Sequence, residues 1–253
     1  MPTAWLREIP DSYVSAIISD HGRVPDVDKA RAQHDRYQVL LGAAGYDLVV
    51  LPADEAHPDC VFIEDTAVLL GPVAVTTRPG AESRRGEVAP VAEALAERFE
   101  IVPITEPGTL DGGDVMVLGG KVYVGRSSRT DEEGISQLAA VAEGQGLTVV
   151  PVPVRGVLHL KSAVLPVGEE TVVVTRDTVD EDLLADLRIV HEARRERHSF
   201  SALPLATGDV LVTMSAPETA RKLVDLGFGV IPIDVSEIQA TDGGLTCISI
   251  LGD

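Results

Sequence analysis

Cysteine is scarce in this chain: two in 253 residues, Cys60 and Cys247. Two cysteines so far apart make neither a disulfide framework nor the paired spacing of a metal cluster. Their reduced state points to the cytoplasm. Basic residues are also few, 21 Lys and Arg against 40 Asp and Glu, for a net charge of −19. Nucleic acid and anionic membrane surfaces would repel such a chain, so neither is expected as a partner. A small cationic ligand would be attracted. No apolar run reaches the ~18 residues that a membrane helix needs. The opening Met1-Pro2-Thr3-Ala4-Trp5-Leu6-Arg7 has neither the basic nor the apolar stretch of a signal peptide. No linker, low-complexity tract or charge block divides the chain, and one domain over residues 1–253 is expected.

What is present is repetition in an α/β chain that is 45% hydrophobic. Ala67 to Leu70, Val73 to Thr77, a helix near Glu87 to Arg98 and Ile101 to Ile104 read as strand, strand, helix, strand. The pattern returns with Val115 to Leu118, Lys121 to Val124, a helix from about Asp131 to Gly144, and Thr148 to Val152. It returns with Ala163 to Leu165, Thr171 to Val174 and a charged helix through Leu183, Leu184 and Leu187. It returns again with Asp209 to Thr213, a helix from about Pro217 to Leu226, and Gly229 to Ile233. At the N-terminus, Val14 to Ile18 reads as a strand, Asp26 caps a helix from Val27 to about Gly42, and Leu48 to Leu51 is a buried strand. That unit lacks its first strand, and the final strand, Leu245 to Leu251, lacks everything after it. Joined, the two ends make a fifth copy. A period of roughly 40–50 residues marks a repeat architecture. Ends that complete each other suggest closure into a ring like a propeller; a serial βαβ layer fits the strand order poorly.

Chemistry-bearing residues stand at the edges of these copies. Thr241-Asp242-Gly243-Gly244-Leu245-Thr246-Cys247 places a cysteine where a glycine turn meets the last strand. Alone, it reads first as a small buried hydrophobe, since nothing in the stretch names a base, and as a nucleophile second. Asp59, Glu64 and Asp65 lie among apolar residues in Pro58-Asp59-Cys60-Val61-Phe62-Ile63-Glu64-Asp65, where uncompensated burial is expensive. A bound cation would resolve that cost, although Asp59 after Pro58 also suits a turn. Cys60 to Ile63 reads as extended. Leu110-Asp111-Gly112-Gly113-Asp114 puts two acids on a turn, and Leu158-His159-Leu160-Lys161 puts a histidine and a lysine in an apolar run. Loop-borne His21 and His57 are the other base candidates. Arg78, Arg84, Arg85 and Arg129 lie in loops and could grip a carboxylate. Cys247, His159 and Asp111 together supply a nucleophile, a base and an orienting acid.

These motifs, in this order, closely resemble the dimethylarginine dimethylaminohydrolases of the guanidine-modifying superfamily, which also holds arginine deiminases and amidinotransferases. The resemblance implies a five-bladed α/β propeller of ββαβ units with pseudo-fivefold symmetry, the pentein fold, its ring closed by the two chain ends. It implies Cys247 as nucleophile, His159 as general acid and base, and Asp111 as the acid that orients it. It implies guanidinium contacts from Glu64 and Asp65, a polar contact from Asp59, and carboxylate contacts from Arg84 and Arg129. A lid would span Ile18 to His21, with Ile18 nearest the substrate, and Thr241 would offer a backbone carbonyl to the α-amino group. The implied reaction converts Nω-methylated L-arginine to L-citrulline and an amine, with no cofactor and no metal; zinc on Cys247 and His159 would inhibit. A monomer or homodimer is expected. Arginine deiminases resemble one another in a His-Leu-Asp motif where this chain has His159-Leu160-Lys161. Losing that acid leaves room for a methylated nitrogen. A deiminase-like or other alkylguanidine hydrolase, and a non-catalytic arginine-binding protein, are the alternatives.

Overall fold

The computed structural model describes residues 1–18, 23–196 and 199–252. Among them the elements run β1 (Thr3–Arg7), α1 (Val27–Ala43), β2 (Asp47–Leu51), β3 (Ala67–Leu70), β4 (Val73–Thr76), α2 (Val88–Leu95), β5 (Glu100–Pro103), β6 (Val115–Leu118), β7 (Lys121–Arg126), α3 (Glu132–Gly144) and β8 (Thr148–Pro153). They continue as β9 (Val164–Pro166), β10 (Thr171–Val174), β11 (Arg188–His191), β12 (Ala202–Pro204), β13 (Val210–Thr213), α4 (Pro217–Asp225), β14 (Val230–Ile233), α5 (Ser236–Gln239) and β15 (Ile250–Gly252). The strands form five three-stranded sheets, ordered β15-β1-β2, β3-β4-β5, β6-β7-β8, β9-β10-β11 and β12-β13-β14. Each middle strand pairs antiparallel with the first strand and parallel with the third. A parallel pair needs a crossover connection, and in every repeat the helical segment supplies it.

The expected join of the two chain ends is present as a sheet, with different residues from those read in the sequence. Ala4 pairs with Leu251 and Trp5 with Ile250. The N-terminal strand is Thr3–Arg7, whereas Val14 to Ile18, expected as a strand, begins as a 3-10 turn over Asp11–Ser15. There the backbone closes on itself, with Tyr13 N–H donating to Pro10 and Ala16 N–H to Tyr13. Cys60 to Ile63 is likewise a turn rather than extended chain, closed by bonds from Cys60 N–H to His57 and Phe62 N–H to Asp59. The expected strand from Leu245 shrinks to Ile250–Gly252. Side-chain hydroxyls take the backbone groups upstream: Leu245 N–H donates to Ser201 Oγ at 2.8 Å, and its carbonyl accepts Tyr37 Oη–H at 3.0 Å. The charged helix through Leu187 is one 3-10 turn, Glu181–Leu184, followed by β11.

Composition along each sheet explains the layering. The middle strands β1, β4, β10 and β13 are wholly buried and carry no proline. Prolines sit on the outer strands, at Pro103, Pro151, Pro153, Pro166, Pro204 and Pro232. A proline cannot donate to a ladder, so an outer strand is where it fits, and there it discourages further pairing. The β6–β7 hairpin turns on Gly119 and Gly120, with φ of 58° and 75°. A two-residue turn of this hand requires positive φ at both positions.

The described residues fall into two compact units, residues 1–63 with 192–253, and residues 64–191. The first has a core of Leu6, Tyr13, Tyr37, Leu41, Phe62, Leu211, Ile238, Leu245 and Ile248. The second packs around Val75, Leu110, Val124 and Leu138 in one cluster, and Tyr123, Leu160, Val172 and Leu184 in another.

α1 begins where Asp26 accepts a hydrogen bond from Lys29 N–H at 3.0 Å, as its sequence predicts. Its buried face carries His34, 2% exposed, stacked on Tyr37, with Nε2 lacking a partner among the described residues. Burial lowers the His34 pKa to about 4. The unfolded chain, with an ordinary histidine pKa near 6.5, binds more protons between those values. Stability from a neutral His34 is therefore present above pH ~6.5 and lost as pH falls toward 4. At pH 5 the loss is roughly 2 kcal/mol. Urea unfolding at pH 7 and pH 5 should show this loss in the natural protein and a smaller one in His34→Leu; equal losses in both would rule His34 out as the cause.

Candidate active site

Three short 3-10 turns lead into the first strands of three successive repeats: Ile63–Thr66 before β3, Gly112–Asp114 before β6, and Leu160–Ser162 before β9. Glu64 and Asp65 lie in the first, Asp111 immediately precedes the second, and His159 immediately precedes the third. Equivalent positions of equivalent repeats thus carry the acids and the imidazole, and within residues 64–191 they meet. His159 Nε2 lies 3.0 Å from Asp111 Oδ2, and its Nδ1 lies 3.9 Å from Asp65 Oδ1. Asp111 is fully buried, and its other oxygen accepts Gly80 N–H at 2.8 Å. Asp65 accepts Gly113 N–H at 2.9 Å and pairs through its second oxygen with Arg84 Nη1.

The approach depends on absent side chains. A Cβ on Gly113 would lie 2.6 Å from His159 Nδ1 and 2.7 Å from Asp65 Oδ1, and one on Gly112 would strike the Glu64 carbonyl at 2.0 Å. Glycine alone lets the acid and the imidazole converge here.

Charge sets the protonation. Burial pulls the His159 pKa down, but the Asp65 charge, the bond to Asp111 and the charges of Asp114 and Asp111 outweigh it and raise it to about 9. Burial raises that of Asp65, but His159, Arg84 and the Gly113 N–H outweigh it and hold the carboxyl well below its ordinary value. The resting pair is therefore imidazolium and carboxylate.

Each acid expected to hold a guanidinium already has a cation. Glu64 Oε1 lies 2.6 Å from Lys161 Nζ, and Asp65 pairs with Arg84. Arg84 is 6% exposed and also meets both oxygens of Glu87, with Nη2 at 2.8 Å. Glu87 escaped the sequence reading; its signal was a carboxylate three residues beyond an arginine. Arg129 is half-buried, its N–H donating to Ser127 Oγ at 3.0 Å. Asp65, Asp111 and His159 offer atoms within 4.8 Å of one another, a set that could hold a metal ion. Their carboxylates are already engaged by Arg84, Gly113 and Gly80.

The remaining expected residues belong to the other unit. Cys247 lies in a turn three residues before β15, half-buried, with its Sγ accepting Gly244 N–H at 3.3 Å. A Cβ on Gly244 would meet Ser201 Oγ at 2.6 Å, so this glycine too is sterically required. Asp59 accepts Ile17 N–H at 3.0 Å, next to the half-buried Ile18. The rest of the expected lid, residues 19–21, lies outside the described residues, and His21 with it. Thr241 Oγ1 donates to the Ile238 carbonyl at 2.8 Å and meets the Tyr13 hydroxyl. His57, the other base candidate, pairs with Asp54 at 2.8 Å.

The chain thus carries five repeats of strand, strand, helical segment and strand, with a buried acid–imidazole array in residues 64–191. Residues 23–250 match the model of the family described as N,N dimethylarginine dimethylhydrolase, eukaryotic. A dimethylarginine dimethylaminohydrolase from Streptomyces coelicolor is 41% identical over 98% of this chain and 93% of its own length. The Pseudomonas aeruginosa enzyme, solved as a cysteine-to-serine variant complexed with citrulline, superposes with a TM-score of 0.94 at 32% identity, covering 99% of this chain and 98% of that one. A histidine-to-glycine variant of a dimethylarginine dimethylaminohydrolase, solved as an adduct with S-methyl-L-thiocitrulline, also reaches 0.94 at 32% identity, with full coverage of both chains. The chain belongs to the dimethylarginine dimethylaminohydrolase family.

If Asp65 is the main support of the imidazolium, Asp65→Asn will lower the His159 pKa from about 9 to the ordinary histidine value or below, because burial remains. Nitrogen-detected NMR titration of the ring measures this, and an unmoved titration would refute the assignment.

Proposed function

We propose that this protein hydrolyses Nω-methylated L-arginine to L-citrulline and methylamine or dimethylamine, with Cys247 as the nucleophile. The observation that carries the reading is the buried imidazolium of His159 between Asp65 and Asp111. The relatives, with citrulline and thiocitrulline in their structures, support the substrate class.

In this reading Glu64 and Asp65 receive the guanidinium, Arg84 and Arg129 the α-carboxylate, and Asp59 and the Thr241 carbonyl the remaining polar end, with Ile18 at the lid. A guanidinium resists attack because resonance spreads its charge; fixed carboxylates localise that charge and hold the carbon in place. The Cys247 thiolate forms a bond to the guanidino carbon. The bond to the methylated nitrogen breaks as His159 gives that nitrogen its proton, since an amide anion would be a poor leaving group. An S-alkylthiouronium remains on Cys247. His159, now neutral, takes a proton from water; the hydroxyl adds to the carbon, the C–S bond breaks with its electron pair returning to the Cys247 thiolate, and the remaining hydroxyl proton passes to the released amine through solvent as neutral citrulline leaves. These steps use no metal or cofactor. Cys247 is half-buried, and its sulfur accepts the backbone N–H of Gly244. The single-domain propeller expected for residues 1–253 belongs to the same reading, supported by the sheet that the two chain ends share.

Cys247→Ser and His159→Gly should each abolish citrulline formation from asymmetric dimethylarginine while circular dichroism shows an intact fold; turnover by Cys247→Ser would sink the covalent route. kcat/KM for arginine should fall far below that for mono- and dimethylarginine, and the reverse order with ammonia release would make the protein a deiminase. Because the proton donor is His159 with a pKa of about 9, activity should be present below that value and decline as pH rises through it.

A further inference from the structure

Asp114 is fully buried, its charge bears on His159, and it takes no part in the steps above. Its two oxygens accept three hydrogen bonds, and each leads to a residue of the site. Oδ1 accepts Leu160 N–H at 2.8 Å, the peptide that follows His159. Oδ2 accepts Thr130 Oγ–H at 2.7 Å, and that hydroxyl oxygen accepts Asp111 N–H at 3.1 Å. Oδ2 also accepts Ser127 Oγ–H at 2.6 Å, and that oxygen accepts Arg129 N–H at 3.0 Å. Gly125 makes room for the carboxylate, since a Cβ there would lie 2.3 Å from Oδ1.

We propose that Asp114 is the positioning residue of this site, one buried carboxylate that sets the place of His159, Asp111 and Arg129 together. The proposal rests on the reading of His159 as acid and base and of Arg129 as a substrate contact. A buried carboxylate costs several kcal/mol of desolvation unless donors compensate it. Here the donors are drawn from two loops, residues 127–130 and the turn at Leu160, so satisfying the charge ties both to the turn that carries Asp114. Burial raises the pKa of Asp114 against these donors, and its charge adds to those of Asp65 and Asp111 in favouring the imidazolium. Asparagine at this position would keep the shape, remove the charge and turn one acceptor into a donor facing two hydroxyls.

Two arms test this. First, in Asp114→Asn the His159 ring should titrate roughly one unit lower than in the natural protein. That measurement needs no substrate, so it stands even if methylarginine turnover by the natural protein, assayed beside it, fails and the functional reading with it. With turnover, kcat/KM should fall on the order of 100-fold, with kcat lowered and KM raised together. Second, single branches separate the effects without removing a buried charge. Ser127→Ala should raise KM roughly tenfold and leave the pH profile in place; Thr130→Val should move the upper pH limb and leave KM in place. An Asp114→Asn ring that titrates as the natural one does overturns the proposal. So does a pair of branch variants that shift neither KM nor the pH limb, or that differ from the natural protein only in thermal stability.

Discussion

An imidazolium held in the interior by carboxylates organises residues 64–191. Burying one charge costs several kcal/mol, and the cost is recovered only with close partners and full hydrogen bonding. Asp65, Asp111 and Asp114 surround His159, and Arg84 meets Asp65 from the other side. The array therefore constrains the loops that bear it, and those loops enter β3, β6 and β9, the first strands of three repeats. The turns are shaped by the electrostatics as much as by the strands they serve.

The same array explains why small residues occupy the turns. Gly80, Gly112, Gly113 and Gly125 each place backbone where a Cβ would strike a group of the network or its supporting loops. The acid pair Glu64 and Asp65 is not left exposed to await a ligand either; Lys161 and Arg84 already hold it.

In the other unit, hydroxyl groups do the comparable work. Ser201, Tyr37 and Ser249 bind the backbone and side chains around Leu245, which keeps the chain out of the ladder until Ile250. Cys247 consequently sits on a turn with its sulfur beside a backbone donor. A strand would have alternated it into a pleat.

The five-fold pattern of strands and helices was legible in the sequence because each element buries one face with its own period: Ala67–Leu70, Val115–Leu118 and Thr171–Val174 match their readings residue for residue, and α1, α3 and β14 do so nearly. So were the acid, histidine and cysteine motifs, since acids among apolar residues are conspicuous. Irregular backbone was not legible. Val14 to Ile18 and Leu245 to Ser249 have strand-like composition, and only the tertiary structure decides otherwise, through local turns at one and the hydroxyls of distant Ser201 and Tyr37 at the other. Thr3–Arg7 shows the converse, a strand created by partners at residues 47–51 and 250–252. The roles of Asp114, Glu87 and Lys161 also lay beyond the sequence, because what a buried charge does depends on which groups from other loops compensate it. Composition and period determined the repeats and the chemical inventory; tertiary contact alone determined which charges meet.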